Sequence, residues 1–183
     1  MEGEPERLAR GYTGRLLITT SVGWGAVQTG KLVFSPLLPA IQSDLGIGST
    51  LAGFGLTTLW GIYAFMQYPS GRLSDRLSRK TLLNAGLIVL VLGLLLVASA
   101  TNYVLFLLGM LIAGAGAGLY PTTNKALLSD LFVERRGTAF GINIASINLG
   151  GLLVAVLASV VLAVATWQTA FLAIAVGLVP LIL

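Results

Sequence analysis

The sequence predicts an all-α, polytopic membrane protein with six transmembrane helices. Apolar runs cover residues 16–40, 51–69, 82–99, 103–121 and 138–165, and a sixth begins near residue 169. A helix needs about 17–25 apolar residues to cross the hydrocarbon core of a bilayer. Charged residues make up only 10% of the chain and hydrophobic ones 56%, whereas about a quarter of a soluble domain is charged. This composition is typical of a chain embedded in lipid.

Nearly all cations lie on one side of the predicted transmembrane part. Residues 41–50, residues 100–102 and the turn near Trp167 contain no Lys or Arg. Because short basic loops stay in the cytoplasm, we expect a multi-pass protein of the plasma membrane with both termini cytoplasmic. Residues 1–14 then form a cytoplasmic tail and residues 15–183 the transmembrane part. Ten of the eleven cations lie in the tail or at the inner face: Arg7, Arg10, Arg15, Arg72, Arg76, Arg79, Lys80, Lys125, Arg135 and Arg136.

The individual runs differ in composition. The first contains three glycines and Pro36, which favour close helix packing or a kink inside a bundle. The third, residues 82–99, consists almost entirely of Leu, Val and Gly, as expected of a helix that faces lipid. Tyr103 and Trp167 fall at the predicted outer boundary, where amphipathic aromatic side chains anchor membrane proteins.

The residue types that are missing argue against several functions. The chain has no Cys and no His, so it lacks a disulfide framework, a thiolate nucleophile and the usual metal ligand. No run contains a pair of carboxylates, since Asp75 and Asp130 lie at the inner face. We therefore expect no enzyme, no metal site and no cofactor. The net charge of +4 follows the membrane topology and does not indicate a nucleic-acid partner.

Residues 71–80 read Gly-Arg-Leu-Ser-Asp-Arg-Leu-Ser-Arg-Lys and resemble the loop between helices two and three of the major facilitator superfamily. The family pattern is Gly-x-Leu-x-Asp-Arg-x-Gly-Arg-Lys-x-x-Leu, and Ser78 departs from it where the family has Gly. A basic inner loop would explain the cations, but it would not explain the Gly, Leu and Asp positions. The matching residues are Gly71, Leu73, Asp75, Arg76, Arg79, Lys80 and Leu83.

Three further segments are similar to the same family. The glycine triplet in residues 114–118 resembles its fourth helix, although Met110 stands where members often carry an Arg. Residues 130–137 resemble the loop after helix four, and residues 167–171 resemble the start of helix six. The Gly-Pro signature of the family's drug antiporters is missing from the comparable region of helix five. Taken alone, the glycines indicate only tight helix packing.

The resemblance implies the N-terminal six-helix half of a twelve-helix secondary transporter that works by alternating access. Its partner would be a missing C-terminal half or a second copy of this chain. An alternative from a different class is a non-transporting six-helix scaffold or assembly protein. The resemblance also implies that Arg76 or Arg79 pairs with Asp130 or Glu134, and that Asp75 meets the second half. The implied conformational-switch residues are Gly71, Asp75, Arg76, Arg79, Lys80 and Asp130.

The last apolar run is short. Residues 169–183 would form roughly 22 Å of helix, against a hydrocarbon core of about 30 Å, and no charged residue follows them. Either the last helix is cut short or the chain is part of a longer protein. The family resemblance favours the second explanation.

Lys31 is the first candidate for a substrate-binding residue, because it is the one cation inside an apolar run. A cation at that depth normally faces the interior of a helix bundle or a watery cavity. Thr20, Trp24, Gln28 and Lys31 are spaced by four, four and three residues, so they share one helix face. Anion-transporting branches of the family resemble this region, which favours an anionic small molecule. The alternative is a lysine that extends to the outer interface.

Two other polar stripes are candidates for substrate contacts. Trp60, Tyr63 and Gln67 share a face of the second run, and Asn143 and Ser146 begin a stripe on the fifth. Tyr63 and Asn143 complete the predicted substrate-binding set. Hydrogen bonds between helices are the alternative role for such residues.

The predicted orientation can be tested with single cysteines at Ser49 and Ser78, since the chain has no cysteine of its own. We expect a membrane-impermeant thiol reagent to label position 49 from outside the cell and position 78 only from the cytoplasm, because Lys/Arg-rich loops are not translocated. Labelling of both positions from outside would contradict the topology.

Overall fold

The computed structural model describes residue 8 and residues 11–182, apart from the side chain of Asp75. Most of the predicted cytoplasmic tail therefore lies outside the described residues. The described chain is helical and contains no strand, which confirms the predicted all-α fold. The elements are α1 (Gly11–Leu32), α2 (Phe34–Leu45), α3 (Ser49–Arg76), α4 (Arg79–Ala98), α5 (Tyr103–Leu131), α6 (Arg136–Val164), α7 (Trp167–Leu178) and a 3₁₀ turn (Val179–Leu181).

The first membrane crossing is made by α1 and α2 together, with a break at Val33. Pro36 causes this break, since it has no N–H and its ring clashes with the carbonyl four residues earlier. The chain stays close to helical there, because the Val33 N–H still donates to the Thr29 carbonyl at 3.0 Å. Gly46 ends α2 in the left-handed conformation, with φ of 62°, and its N–H bonds to Gln42. The other five crossings are α3, α4, α5, α6, and α7 with its 3₁₀ turn.

Three of the helices can cross a membrane on the evidence of length and composition alone, namely α4, α5 and α6. Among the described residues, α1 and α3 are long enough but less apolar than α4, α5 and α6. The bundle has two ends, which we name by their residues. The basic end contains Arg79 and Asp130, and the opposite end contains Asp44 and Trp167.

The helices extend further than the apolar runs predicted. The predicted loop at residues 71–80 is mostly helical, because α3 continues to Arg76 and α4 starts at Arg79. Only residues 77–78 separate them, and Ser78 is the N-cap of α4, accepting a hydrogen bond from the Thr81 N–H at 3.1 Å. The predicted loops at residues 41–50 and 129–136 shorten in the same way. Hydropathy predicts which residues lie within the bilayer, whereas capping residues determine where each helix ends.

Glycines let α5 approach its neighbours with almost no side chain between the backbones. A Cβ atom at Gly114 would lie 2.6 Å from the carbonyl oxygen of Leu59 on α3, and one at Gly118 would lie 2.6 Å from that of Tyr63. On another side of α5, a Cβ at Gly116 would meet the backbone nitrogen of Leu90 on α4. Close backbone approach of this kind is how helices associate in lipid.

The opposite end of the bundle is held by an aromatic cluster and a carboxylate. Phe34 on α2 lies 4.6 Å from Phe171 on α7, measured between ring centroids. Asp44 accepts hydrogen bonds from Trp167 Nε1 at 3.0 Å and from Gln168 Nε2 at 3.1 Å. These contacts attach the segment beyond the break in the first crossing to the start of α7.

The glycine contacts of α5 predict that a methyl group added at the helix interface destabilises the bundle more than one added at an open position. Gly116→Ala should lower the stability of the bundle by about 1–3 kcal/mol, because the interface has no space to repack. Gly61→Ala on α3 is the matched control, since its Cβ would meet nothing within 4 Å. Thermal unfolding in detergent measures both, and equal melting temperatures for the two variants would refute the close packing.

Candidate functional site

Lys31 lies between two aromatic rings of α3. Its ammonium nitrogen is 3.8 Å from the ring centroid of Tyr63 and 4.3 Å from that of Trp60. The two rings meet edge to face, with their planes at 80° and centroids 5.7 Å apart. Lys31 is only 5% exposed. Contact with aromatic faces stabilises a desolvated cation by about 2 kcal/mol, so this aromatic cage accounts for the position of the side chain.

The ammonium group lies at the middle of the bundle. Trp60 and Tyr63 are close to the midpoint of α3, which runs from Ser49 to Arg76. A lysine that extends to the interface would place its charge beside a helix end. The observed position therefore corresponds to a cation kept inside the bundle.

Lys31 has no carboxylate partner in the part of the chain that the structure describes. Asp44 bonds to Trp167 and Gln168 at the opposite end, and Asp130 pairs with Arg79 at the basic end. The described stabilisation of this charge comes from the aromatic rings and from the C-terminal end of α1, since Lys31 lies in its last turn. A buried cation without a counter-charge can attract an anion strongly, because the surrounding dielectric constant is low.

Trp24, predicted to share the site of Lys31, lies in a separate contact. Its ring meets Tyr120 edge to face at 6.3 Å, and the ammonium nitrogen of Lys125 lies 5.7 Å from its centroid. Gln28 lies between the two lysine sites along α1 and is half-buried. Sequence reasoning placed Lys125 at the inner boundary and missed its contact with Trp24, since the spacing along α1 says nothing about α5.

Thr20 and Asn143 take part in hydrogen bonds between helices. The Tyr120 hydroxyl donates to the Thr20 carbonyl at 3.0 Å, which joins α5 to α1. Asn143 Nδ2 donates to Ser21 Oγ at 3.0 Å, and Asn143 Oδ1 accepts from Asn124 Nδ2 at 3.0 Å. All of these residues are buried. They fix the relative positions of α1, α5 and α6 around the two lysine sites.

The ion pair predicted at the basic end is present. Arg79 Nε lies 3.3 Å from Asp130 Oδ2, which links α4 to α5. Arg79 Nη1 also donates to the Ser74 carbonyl at 2.9 Å and to the Ser74 hydroxyl, so the same guanidinium closes the end of α3. A cation is favourable at a helix C-terminus. Three helices therefore meet at one arginine.

The other predicted switch residues lie around this arginine. Arg76 and Lys80 are exposed, and Gly71 faces α5, where a Cβ would lie 3.6 Å from Thr122. The side chain of Asp75 is outside the described residues, so its expected contact stays a prediction.

The geometry defines a six-helix membrane bundle with a buried cation at mid-depth and a charged junction at one end. The profile of the Major Facilitator Superfamily matches residues 18–183. The chain belongs to this family.

Known proteins of the family resemble the chain in sequence and fold. The gentisate transporter of Corynebacterium glutamicum is 32% identical over 181 residues, covering 94% of this chain and 40% of that protein. The glucose transporter GlcP of Staphylococcus epidermidis is 31% identical over 119 residues, covering 64% and 27%. The solved structure of the proton:xylose symporter XylE superposes with a TM-score of 0.85 at 15% identity, covering 93% and 43%. The chain thus spans less than half the length of these relatives.

The contacts at the basic end predict that replacing Arg79 lowers the free energy of unfolding more than replacing Asp130. Asp130→Asn should lower the free energy of unfolding by less than about 1 kcal/mol, because exposed ion pairs contribute little and Asp130 is 60% exposed. Arg79→Gln should cost more, about 1–3 kcal/mol, because it also removes the donor to the buried Ser74. Unfolding titrations in mixed micelles measure both. A larger cost for the aspartate variant would contradict this arrangement.

Proposed function

We propose that the chain is one half of a secondary active transporter that carries a small organic anion by alternating access and converts no substrate chemically. The observation that carries this proposal is the ammonium group of Lys31, which is buried at mid-depth beside Trp60 and Tyr63. Family transporters bind substrates near the bilayer midplane, at the interface of two repeats. Thr20, Trp24, Gln28, Lys31, Tyr63 and Asn143 form or support the proposed substrate site.

The energetics of Lys31 favour an anionic substrate. A lysine at the centre of a transmembrane helix costs at least about 2.5–3.5 kcal/mol, and its aromatic contacts return about 2 kcal/mol. An anion that enters the site supplies the missing counter-charge and a charge-assisted hydrogen bond of about 1.5–3 kcal/mol. An aromatic carboxylate fits best, since its ring can pack against Trp60 or Tyr63 while the carboxylate contacts Lys31.

The relatives support this choice of substrate class without deciding it. The gentisate transporter takes its name from an aromatic carboxylate and aligns with 94% of the chain. The glucose transporter GlcP takes its name from a neutral sugar and aligns with a shorter part. Gentisate and glucose therefore make contrasting test substrates, one anionic and the other neutral.

A second six-helix half, the missing C-terminal half or another copy of this chain, completes the proposed transporter. It would cover the exposed apolar face of α6, where Leu149, Leu152 and Val156 are more than half exposed. We propose the plasma membrane as its location, with the basic end and the N-terminus in the cytoplasm, because the cations gather at that end. Gly71, Asp75, Arg76, Arg79, Lys80 and Asp130 would form the junction that changes when access alternates.

The proposal predicts the effect of replacing Lys31 in the complete transporter. Lys31→Met should weaken anion binding by about ten- to a hundred-fold, which corresponds to the loss of one charge-assisted hydrogen bond. Lys31→Arg should keep part of the binding, since the charge stays while its geometry changes. Uptake of gentisate, other carboxylates and glucose into proteoliposomes measures these effects.

Arg15→Met is the control, because it removes an exposed cation from the same helix and should leave anion uptake close to wild type. If Lys31→Met leaves the uptake of every transported anion unchanged, the anion proposal is wrong. If the complete protein moves no solute at all, the alternative of a membrane scaffold replaces the transporter.

A further inference from the structure

Two cation–aromatic pairs lie along the same face of α1. One, which we call the upper pair, consists of Lys31 and the aromatic cage of Trp60 and Tyr63. The other, the lower pair, consists of Lys125 on α5 and Trp24 on α1. Trp24 and Lys31 are seven residues apart, which places them on one helix face about 10 Å apart along the axis. The lower pair is nearer the basic end.

The aromatic ring of the lower pair is held rigidly. Tyr120 meets Trp24 edge to face, and its hydroxyl is anchored to the Thr20 carbonyl at 3.0 Å. Gly23 leaves the space that this hydroxyl occupies, because a Cβ there would collide with the Tyr120 oxygen. The position of the Trp24 ring is therefore set before any ligand arrives.

The cation of the lower pair is accessible and has no counter-charge in the described part of the chain. Lys125 is exposed, and the structure shows no ion pair to it. The neighbouring carboxylate on α5, Asp130, is five residues further on and pairs with Arg79. Five residues correspond to about 140° of helix rotation, so Asp130 projects from a different side of α5.

We infer that Lys125 and Trp24 form a second anion subsite, which a small carboxylate occupies on its way between the basic end and Lys31. This inference rests on the proposed function. The exposed ammonium group of Lys125 attracts the carboxylate, and the rigid, buried Trp24 ring positions that ammonium group through their cation–π contact. The buried Lys31 then binds the same carboxylate more tightly, because its charge is less hydrated. The two proposed subsites would then be separated along α1 by the rise from Trp24 to Lys31, about 10 Å.

The subsite can be tested by removing the charge of Lys125 and restoring it chemically. The complete transporter is prepared with cysteine only at position 125, which needs no other change in this chain, since its sequence contains no cysteine. Lys125→Cys should raise the KM for gentisate uptake about tenfold, the usual effect of losing one charge-assisted contact. A methanethiosulfonate reagent that attaches an ethylammonium group should restore the KM to within about threefold, whereas a neutral reagent of similar size should not.

Ligand protection provides a readout that a structural role would not change. Gentisate should slow the modification of the thiol introduced by Lys125→Cys at least about threefold, and glucose should not, because only the carboxylate is expected to occupy the subsite. Arg15→Cys is the matched control, because its modification should be insensitive to both solutes and should leave KM unchanged.

The possible failures are distinguishable. If Lys31→Met weakens gentisate uptake while Lys125→Cys does not, the second subsite is wrong and the proposed function stands. The subsite is also wrong if the restored charge fails to recover KM or if gentisate does not slow modification, since Lys125 then pairs with a carboxylate of the second half. If the wild-type transporter takes up glucose but no carboxylate, both the proposed function and the subsite are wrong.

Discussion

The position of α5 between α3 and α4 is the constraint on which the rest of the structure depends. Its glycines bring backbones into direct contact, with Gly114 and Gly118 against α3 and Gly116 against α4. In lipid, helix association relies on van der Waals packing rather than on exclusion of water. The three helices therefore form a rigid unit, and Arg79 ties their ends together at the basic end.

The packing of these three helices also positions the side chains of the candidate site. Gly118 packs against the Tyr63 backbone, so the same contact that joins α5 to α3 sets the ring beside Lys31. On its other side, α5 carries Tyr120, whose hydroxyl bonds to α1 and whose ring holds Trp24. Both lysine sites are thus built from aromatic side chains positioned by α5. The first crossing contributes Lys31 just before its break at Val33, where α2 is tied separately to α7.

Much of the architecture could be predicted from the sequence because it depends on local signals. Apolar length predicted the six crossings. The family resemblance of residues 71–80 implied that Arg76 or Arg79 pairs with Asp130 or Glu134, and the structure contains the pair of Arg79 with Asp130. The helix ends were less predictable, since Ser78 caps α4 beyond the apolar run. The neighbours of Lys31 could not be read from periodicity on α1, because the register of α3 against α1 is a tertiary property. Lys125 was missed for the same reason, since its long side chain reaches back to Trp24.

The most direct measurement is an experimental structure of the complete protein with a saturating aromatic carboxylate. The account predicts ligand density with a carboxylate oxygen about 3 Å from the ammonium nitrogen of Lys31, beside the rings of Trp60 and Tyr63. Density for the ligand elsewhere, with Lys31 paired to a carboxylate of the second half, would contradict it.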